Sequence, residues 1–178
     1  MTIPGVLLTG GASRRMGTDK ATLVIEGETL AARAARLLAE VCAPVVEVGS
    51  GVTNLPSVRE EPPGSGPLAA LLAGVDKLDV GGPVLVLACD LPLVTAAALH
   101  RLARWPGVAS VVPLVDGRPQ YVCARWSEAA LGAARAEFAS GGSAMQVLAS
   151  IDAEFVEGGA DFVDVDTPAD LGRLGLGT

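Results

Sequence analysis

The chain has 178 residues, half of them hydrophobic and only 3% aromatic, and a net charge of −7. That length suits one domain spanning residues 1–178 with room for a sizeable core. The acidic balance argues against a nucleic-acid partner, and no apolar run approaches the ~18 residues of a membrane span. Cys42, Cys89 and Cys123 lie far apart with no C-x-x-C pair. Neither a zinc site nor a disulfide framework is expected, and Met1–Pro4 carries no basic leader, so the expected location is cytoplasmic.

A first strand over 5–9 runs through Val6-Leu7-Leu8 directly into Gly10-Gly11, with Arg14, Arg15 and Lys20 close behind. A helix follows over 29–42, carrying Leu30, Ala34, Leu37, Leu38 and Val41 on one stripe. Strands are predicted over 44–49 and 57–60, then a Pro-Gly loop from Glu61 to Gly66 and a helix over 67–77. The valine-rich strand over 83–89 ends in Cys89-Asp90-Leu91-Pro92, and a helix covers 95–105. Asp116-Gly117 separates strands over 109–115 and 120–125, a hairpin signal that places an antiparallel element in the sheet. Helices over 127–138 and 143–151 precede a strand over 162–165 and a helix over 168–174. Thr167-Pro168-Ala169-Asp170 supplies the cap, first-turn proline and acidic third position of that last helix. Strands alternating with helices read as βαβ units in a mostly parallel α/β sheet.

Three motifs fall at predicted carboxyl ends of strands, where open α/β sheets bind ligands. Consecutive glycines let backbone amides approach anionic oxygens, and Arg15 and Lys20 add charge-assisted bonds to the same phosphates. Asp90 ends a buried apolar strand and is placed to hold a Mg²⁺ that bridges phosphate oxygens. Asp164 and Asp166 alternate onto one side of their strand, with Asp166 preferred as the second ligand. His100 lies in mid-helix and is read as structural.

Neither the Walker pattern nor G-x-G-x-x-G is present. Instead Gly10, Gly11, Ser13, Arg15, Met16, Gly17, Asp19 and Lys20 fall in register with G-G-x-S-x-R-M-G-x-D-K, and the segment resembles that loop of the molybdenum cofactor nucleotidyltransferases. The resemblance is closest to the guanylyltransferases and continues through Glu61–Ala69, the C-D-x-P at Cys89–Pro92 and the closing Asp164–Leu171. It implies a Rossmann-like three-layer sandwich of the nucleotidyltransferase type. The implied reaction is transfer of GMP from GTP to molybdopterin, giving the guanine dinucleotide and pyrophosphate. Arg15, Lys20 and Asp90 are the implied catalytic residues, with Mg²⁺ on Asp90 and Asp166. Leu8, Thr9, Gly10, Gly11, Ser13, Lys20, Glu61 and Asp90 are the implied nucleotide contacts, Glu61 being preferred over Glu60. Transient contact with molybdenum cofactor insertion proteins is implied, and neither nucleic acid nor a membrane.

The chain departs from the family pattern at three places. Asp164 and Asp166 replace two asparagines, the asparagine after the second strand has no counterpart, and no histidine precedes Pro119. Arg118 is there instead, either on an anionic pterin phosphate or in solvent. The alternatives are a cytidylyltransferase of the same group, a sugar-phosphate nucleotidyltransferase, or an inactive nucleotide-binding regulatory module.

Overall fold

The computed structural model describes residues 2–10, 19–141, 150 and 152–176. In chain order these form β1 (Gly5–Leu8), β2 (Val24–Ile25), β3 (Glu28–Thr29), α1 (Leu30–Val41), β4 (Val45–Val48), β5 (Ser57–Val58), α2 (Pro67–Leu78) and β6 (Val84–Ala88). There follow α3 (Ala96–Ala103), β7 (Ser110–Val115), β8 (Arg118–Pro119), β9 (Cys123–Trp126), α4 (Glu128–Ala139), β10 (Ala153–Glu157) and α5 (Pro168–Arg173). The main sheet runs β10-β7-β9-β6-β1-β4-β5, with β8 paired to β7 and a separate β2–β3 hairpin. β1 lies between β4 and β6 and is parallel to both, while β9 runs antiparallel to β6 and β7.

The pleat divides each central strand between two cores. Leu7, Leu85 and Leu87 pack with the apolar stripes of α1 and α3. Val6, Leu8, Val84 and Val86 face α2 and α4 on the other side. The result is the expected three-layer α/β sandwich. α2 approaches the sheet so closely that a side chain at Gly74 would meet Val6 Cγ1 at 2.6 Å and Val48 Cγ2 at 2.9 Å. Thr29, Thr95 and Ser127 cap α1, α3 and α4 by accepting from the amides of Ala32, Ala98 and Ala130, each such cap contributing about 1 kcal/mol.

Three expectations are corrected or refined, and a fourth lies outside the described residues. The predicted strand over 162–165 does not form: Phe162 ends a single 3-10 turn, Ala160–Phe162, and the following residues run on without a ladder. An edge strand that was not predicted, β10, pairs with β7 instead; its Glu154, Phe155 and Glu157 are exposed and carry no apolar alternation. The strand predicted from residue 120 pairs in β9 only from Cys123, because Tyr121 and Val122 lie in a turn after the hairpin. That hairpin is tighter than predicted: Asp116 and Gly117, at φ 50° and 72°, form a two-residue loop that pairs β7 with the short β8. The predicted helix over 143–151 lies outside the described residues, apart from residue 150.

A third, smaller cluster joins Leu30, Val165 and Leu171, with Leu23, Ile25 and Leu174 around it. It fastens the segment before α5 to the start of α1. The Val165 amide also donates to the Asp90 carbonyl at 3.0 Å. Residues 163–166 therefore lie against the end of β6 without being part of the sheet. Among the described residues, no helix is long and apolar enough to cross a membrane.

Candidate active site

The carboxyl ends of β1 and β6 are adjacent because the two strands are parallel neighbours. Asp90 follows β6 by two residues, and Lys20 opens a 3-10 turn (Lys20–Thr22) capped by the Asp19 carboxylate, which accepts from the Ala21 amide. Lys20 Nζ donates to Asp90 Oδ2 at 3.1 Å and to Asp166 Oδ1 at 2.6 Å. The Lys20 side chain is 15% exposed and that of Asp90 24%, while that of Asp166 is half exposed. Burial pushes the Asp90 carboxyl above its ordinary value; the Lys20 charge pulls it back and the Asp164 charge adds to the rise. Burial also works against the Lys20 ammonium, but its bonds with Asp166 and Asp90 outweigh that and hold its pKa above the ordinary value.

One carboxylate oxygen from each of Asp90, Asp164 and Asp166 lies within 4.8 Å of the others. Three hard anionic oxygens at this spacing form a donor set suited to a divalent cation such as Mg²⁺, with phosphate and water completing the shell. Asp166 is held from behind: its amide donates to Asp170 Oδ2 at 3.0 Å, as do the Thr167 amide at 2.7 Å and hydroxyl at 2.8 Å. Those bonds, led by the Thr167 hydroxyl, bring the Asp170 pKa down to about 2. Cys89 belongs to the wall, its thiol pushed up to about 12 by burial.

A cavity of about 550 Å³ opens between β1, β6 and the loop before α2, lined by Leu8, Thr9, Gly10, Asp19, Lys20 and Asp90 on one side and by Glu60, Gly64, Gly66 and Pro67 on the other. Of the two acidic candidates in that loop, Glu60 lines the cavity and accepts from the Gly64 amide at 2.9 Å. Glu61 is exposed and is not among the lining residues. At the end of β1, the amides of Thr9 and Gly10 both donate to the Val48 carbonyl, at 3.0 and 3.3 Å. The Leu8 carbonyl accepts from the Cys89 amide at 3.0 Å. The Gly10 amide is thus committed to β4 and not offered to a phosphate. Of the described main-chain groups at this end of β1, the Thr9 and Gly10 carbonyls receive no hydrogen bond from the described residues and are left for a ligand.

Gly11, Ser13 and Arg15, with Arg14, lie outside the described residues. The sequence places Asp19 in the loop pattern and Asp170 in the helix cap, but it points to no part in the site for either of them or for Glu47. The first two were signalled by their cap positions, before a helical turn and three residues after Thr167. Glu47 had no signal, being a charged residue within an apolar strand.

The sequence pattern of the MobA-like NTP transferase domain matches residues 5–154. The "Probable molybdenum cofactor guanylyltransferase" of Chloroflexus aggregans is 33% identical over 190 aligned positions, which cover all of this chain and 90% of the relative. A protein of the same name from Mycobacterium tuberculosis is 39% identical over 136 positions, 69% of this chain and 68% of its own. Among solved structures, molybdopterin-guanine dinucleotide biosynthesis protein A from Archaeoglobus fulgidus superposes with a TM-score of 0.74 at 21% identity, covering 96% of each chain. The 2-C-methyl-D-erythritol 4-phosphate cytidylyltransferase of Thermus thermophilus reaches 0.72 at 19% identity, covering 97% of each. These two likenesses establish the shared fold. With the family pattern spanning most of the chain and one relative 33% identical across all of it, the chain belongs to the MobA-like NTP transferase family.

Proposed function

We propose that this chain, acting as one domain, is a molybdenum cofactor guanylyltransferase that transfers GMP from GTP to molybdopterin. The observation that carries the reading is a group of metal-ready carboxylates shared between two cavities. Asp90 lines the first cavity. Asp164 and Asp166 line a second, of about 570 Å³, together with Arg118, Gln120 and Arg173. A nucleotide in the first cavity and an anionic acceptor in the second would meet at these carboxylates. The names of the relatives support the same donor and acceptor.

In this reading the terminal phosphate of molybdopterin attacks the α-phosphate of GTP, a new P–O bond forms, and the bond to pyrophosphate breaks. The nucleophile is already anionic, so no general base is required. Catalysis rests on bringing two anions together in line and neutralising the resulting charge. Lys20 and Arg15 hold the triphosphate and the departing pyrophosphate. Asp90 and Asp166 would hold Mg²⁺, which would supply stabilisation of the charge developing on the α-phosphate. Arg118 takes the acceptor's negative charge. The Thr9 and Gly10 carbonyls accept from the N–H donors of the guanine edge, where adenine presents an acceptor. Glu60 braces the loop that closes over the nucleoside. The proposed setting is the cytoplasm, with transient contact to molybdenum cofactor insertion proteins.

The test is pyrophosphate release with molybdopterin and each of the four ribonucleoside triphosphates. GTP is expected to be the preferred donor. Preference for CTP would move the chain to the cytidylyl branch, with Asp164 and Asp166 as the departure to examine. No release with any of them, despite nucleotide binding, would favour a regulatory module.

A further inference from the structure

Glu47 is fully buried in the middle of β4, at a position where the strand's neighbours Val46 and Val48 are core residues. No cation pairs with it among the described residues. Its carboxylate instead accepts five hydrogen bonds. Oε1 receives Thr9 Oγ1 at 2.6 Å and the amides of Gly51 and Val52 at 3.0 and 2.9 Å. Oε2 receives the Thr53 amide at 2.9 Å and hydroxyl at 2.6 Å. Burial alone would raise the pKa of this group, but the bonds from Thr53, Thr9 and Val52 outweigh it and hold the carboxyl below its ordinary value. Leaving such a group unpaired would be costly, so the five donors and the carboxylate order one another.

The consequence reaches the cavity through Thr9. Its hydroxyl proton is committed to Glu47, and its amide and that of Gly10 are committed to the Val48 carbonyl. The loop after β4 lies hard against the same two residues: a side chain at Gly49 would come within 2.1 Å of Thr9 Oγ1 and 2.9 Å of the Gly10 amide nitrogen. Resting on the guanylyl-transfer reading, we infer that Glu47 is a positioning residue for base selection, fixing the Thr9–Gly10 main chain so that its carbonyls present acceptors to guanine. Hydrogen-bond direction is what separates one purine edge from another, and a rim free to rock would bind the bases more nearly alike.

Glu47→Gln keeps the size and removes the fit, because every partner is a donor. Whichever way the amide is turned, its NH₂ meets at least one main-chain N–H, and the loop must shift. The experiment measures kcat and KM for GTP and ATP with molybdopterin, and thermal melting, in wild type, Glu47→Gln and Thr9→Val. Expected for folded Glu47→Gln are a GTP KM raised by about tenfold, a GTP-over-ATP preference reduced by a similar factor and kcat at saturation within about twofold, as for weakening one bond to a base edge. Thr9→Val, which removes the hydroxyl's bond to the carboxylate and its long 3.5 Å contact with the Val48 carbonyl, is expected to shift KM and preference in the same direction. A folded Glu47→Gln with lower Tm but wild-type KM and preference overturns the inference and leaves Glu47 a purely structural residue. If Glu47→Gln does not fold, Thr9→Val decides, and an unchanged preference there overturns it. A wild type that prefers CTP defeats the guanylyl reading instead, and Glu47 is then judged on whether the variants erode the CTP preference.

Discussion

Lys20 is held by the two carboxylates that the proposed metal would also require. Its ammonium lies 3.1 Å from Asp90 and 2.6 Å from Asp166, and so neutralises part of a three-carboxylate group when no ligand is bound. A bound triphosphate offers Lys20 a second set of anionic partners, and a cation among the carboxylates would relieve them of the need for it. Two effects of Lys20→Ala follow. In turnover, loss of a group that meets charge on the departing pyrophosphate is expected to lower kcat by about 10²–10³ while GTP KM changes much less. A raised KM with unchanged kcat would make Lys20 a uniform binding residue. Without nucleotide, the carboxylates lose a competing cation, so Lys20→Ala is expected to bind Mn²⁺ more tightly than wild type. Electron paramagnetic resonance of free Mn²⁺ measures this, and equal or weaker binding would count against the competition.

The segment from residue 163 to the end of α5 works as a small brace. Val165 plugs into the cluster with Leu30 and Leu171, and Asp170 gathers the amides of Asp166 and Thr167 and the Thr167 hydroxyl. Asp170→Ala removes the acceptor that gathers these donors at the helix start and frees Asp166. The expected outcome is a higher Mg²⁺ concentration for half-maximal activity with little change in GTP KM; an unchanged Mg²⁺ requirement would reject the brace. The Asp170 pKa, about 2, lies below the ordinary value of 3.8, so its contribution is complete above that value and is lost as pH falls through about 2. Docking of α5, followed by the NMR signals of Leu171 and Val165, is therefore expected to be constant from pH 7 to 5. At this scale the sequence announced what local chemistry determines. The Thr167–Asp170 cap, the Asp116-Gly117 hairpin and the apolar run before Asp90 all appear where their residues pointed. β10 was hidden because an exposed edge strand with two glutamates has no apolar alternation to display. The partners of Glu47, and the position of Glu60 rather than Glu61 on the cavity wall, depend on which backbone amides face a carboxylate, and no residue pattern encodes that.

For the molecule as a whole, the two cores and the site make opposite demands. The cores pack alternate strand residues against helices on both faces and need no charge. The site places the Asp90 carboxylate in a partly buried position beside Asp164 and Asp166, where burial raises its pKa and disfavours the charged form. A carboxyl whose folded pKa exceeds its unfolded value holds its proton more tightly in the folded state, so its ionisation at pH 7 reduces stability. Lys20 offsets part of this and not all of it. Asp90→Asn removes the charge, keeps the shape and leaves Lys20 its bond to Asp166. Turnover is expected to be nearly abolished, because the proposed metal loses its best-buried ligand, while Tm at pH 7 stays at or above the wild-type value. In a chain of this length, each kcal/mol recovered corresponds to about 2–4 °C. The comparison should also depend on pH: any advantage of Asp90→Asn is expected to shrink as acid protonates Asp90 in the wild type. Wild-type turnover in the variant with Mg²⁺ present would remove Asp90 from the mechanism. A Tm lowered by several degrees would mean that the Asp90 charge, through Lys20, supports the fold more than its burial opposes it.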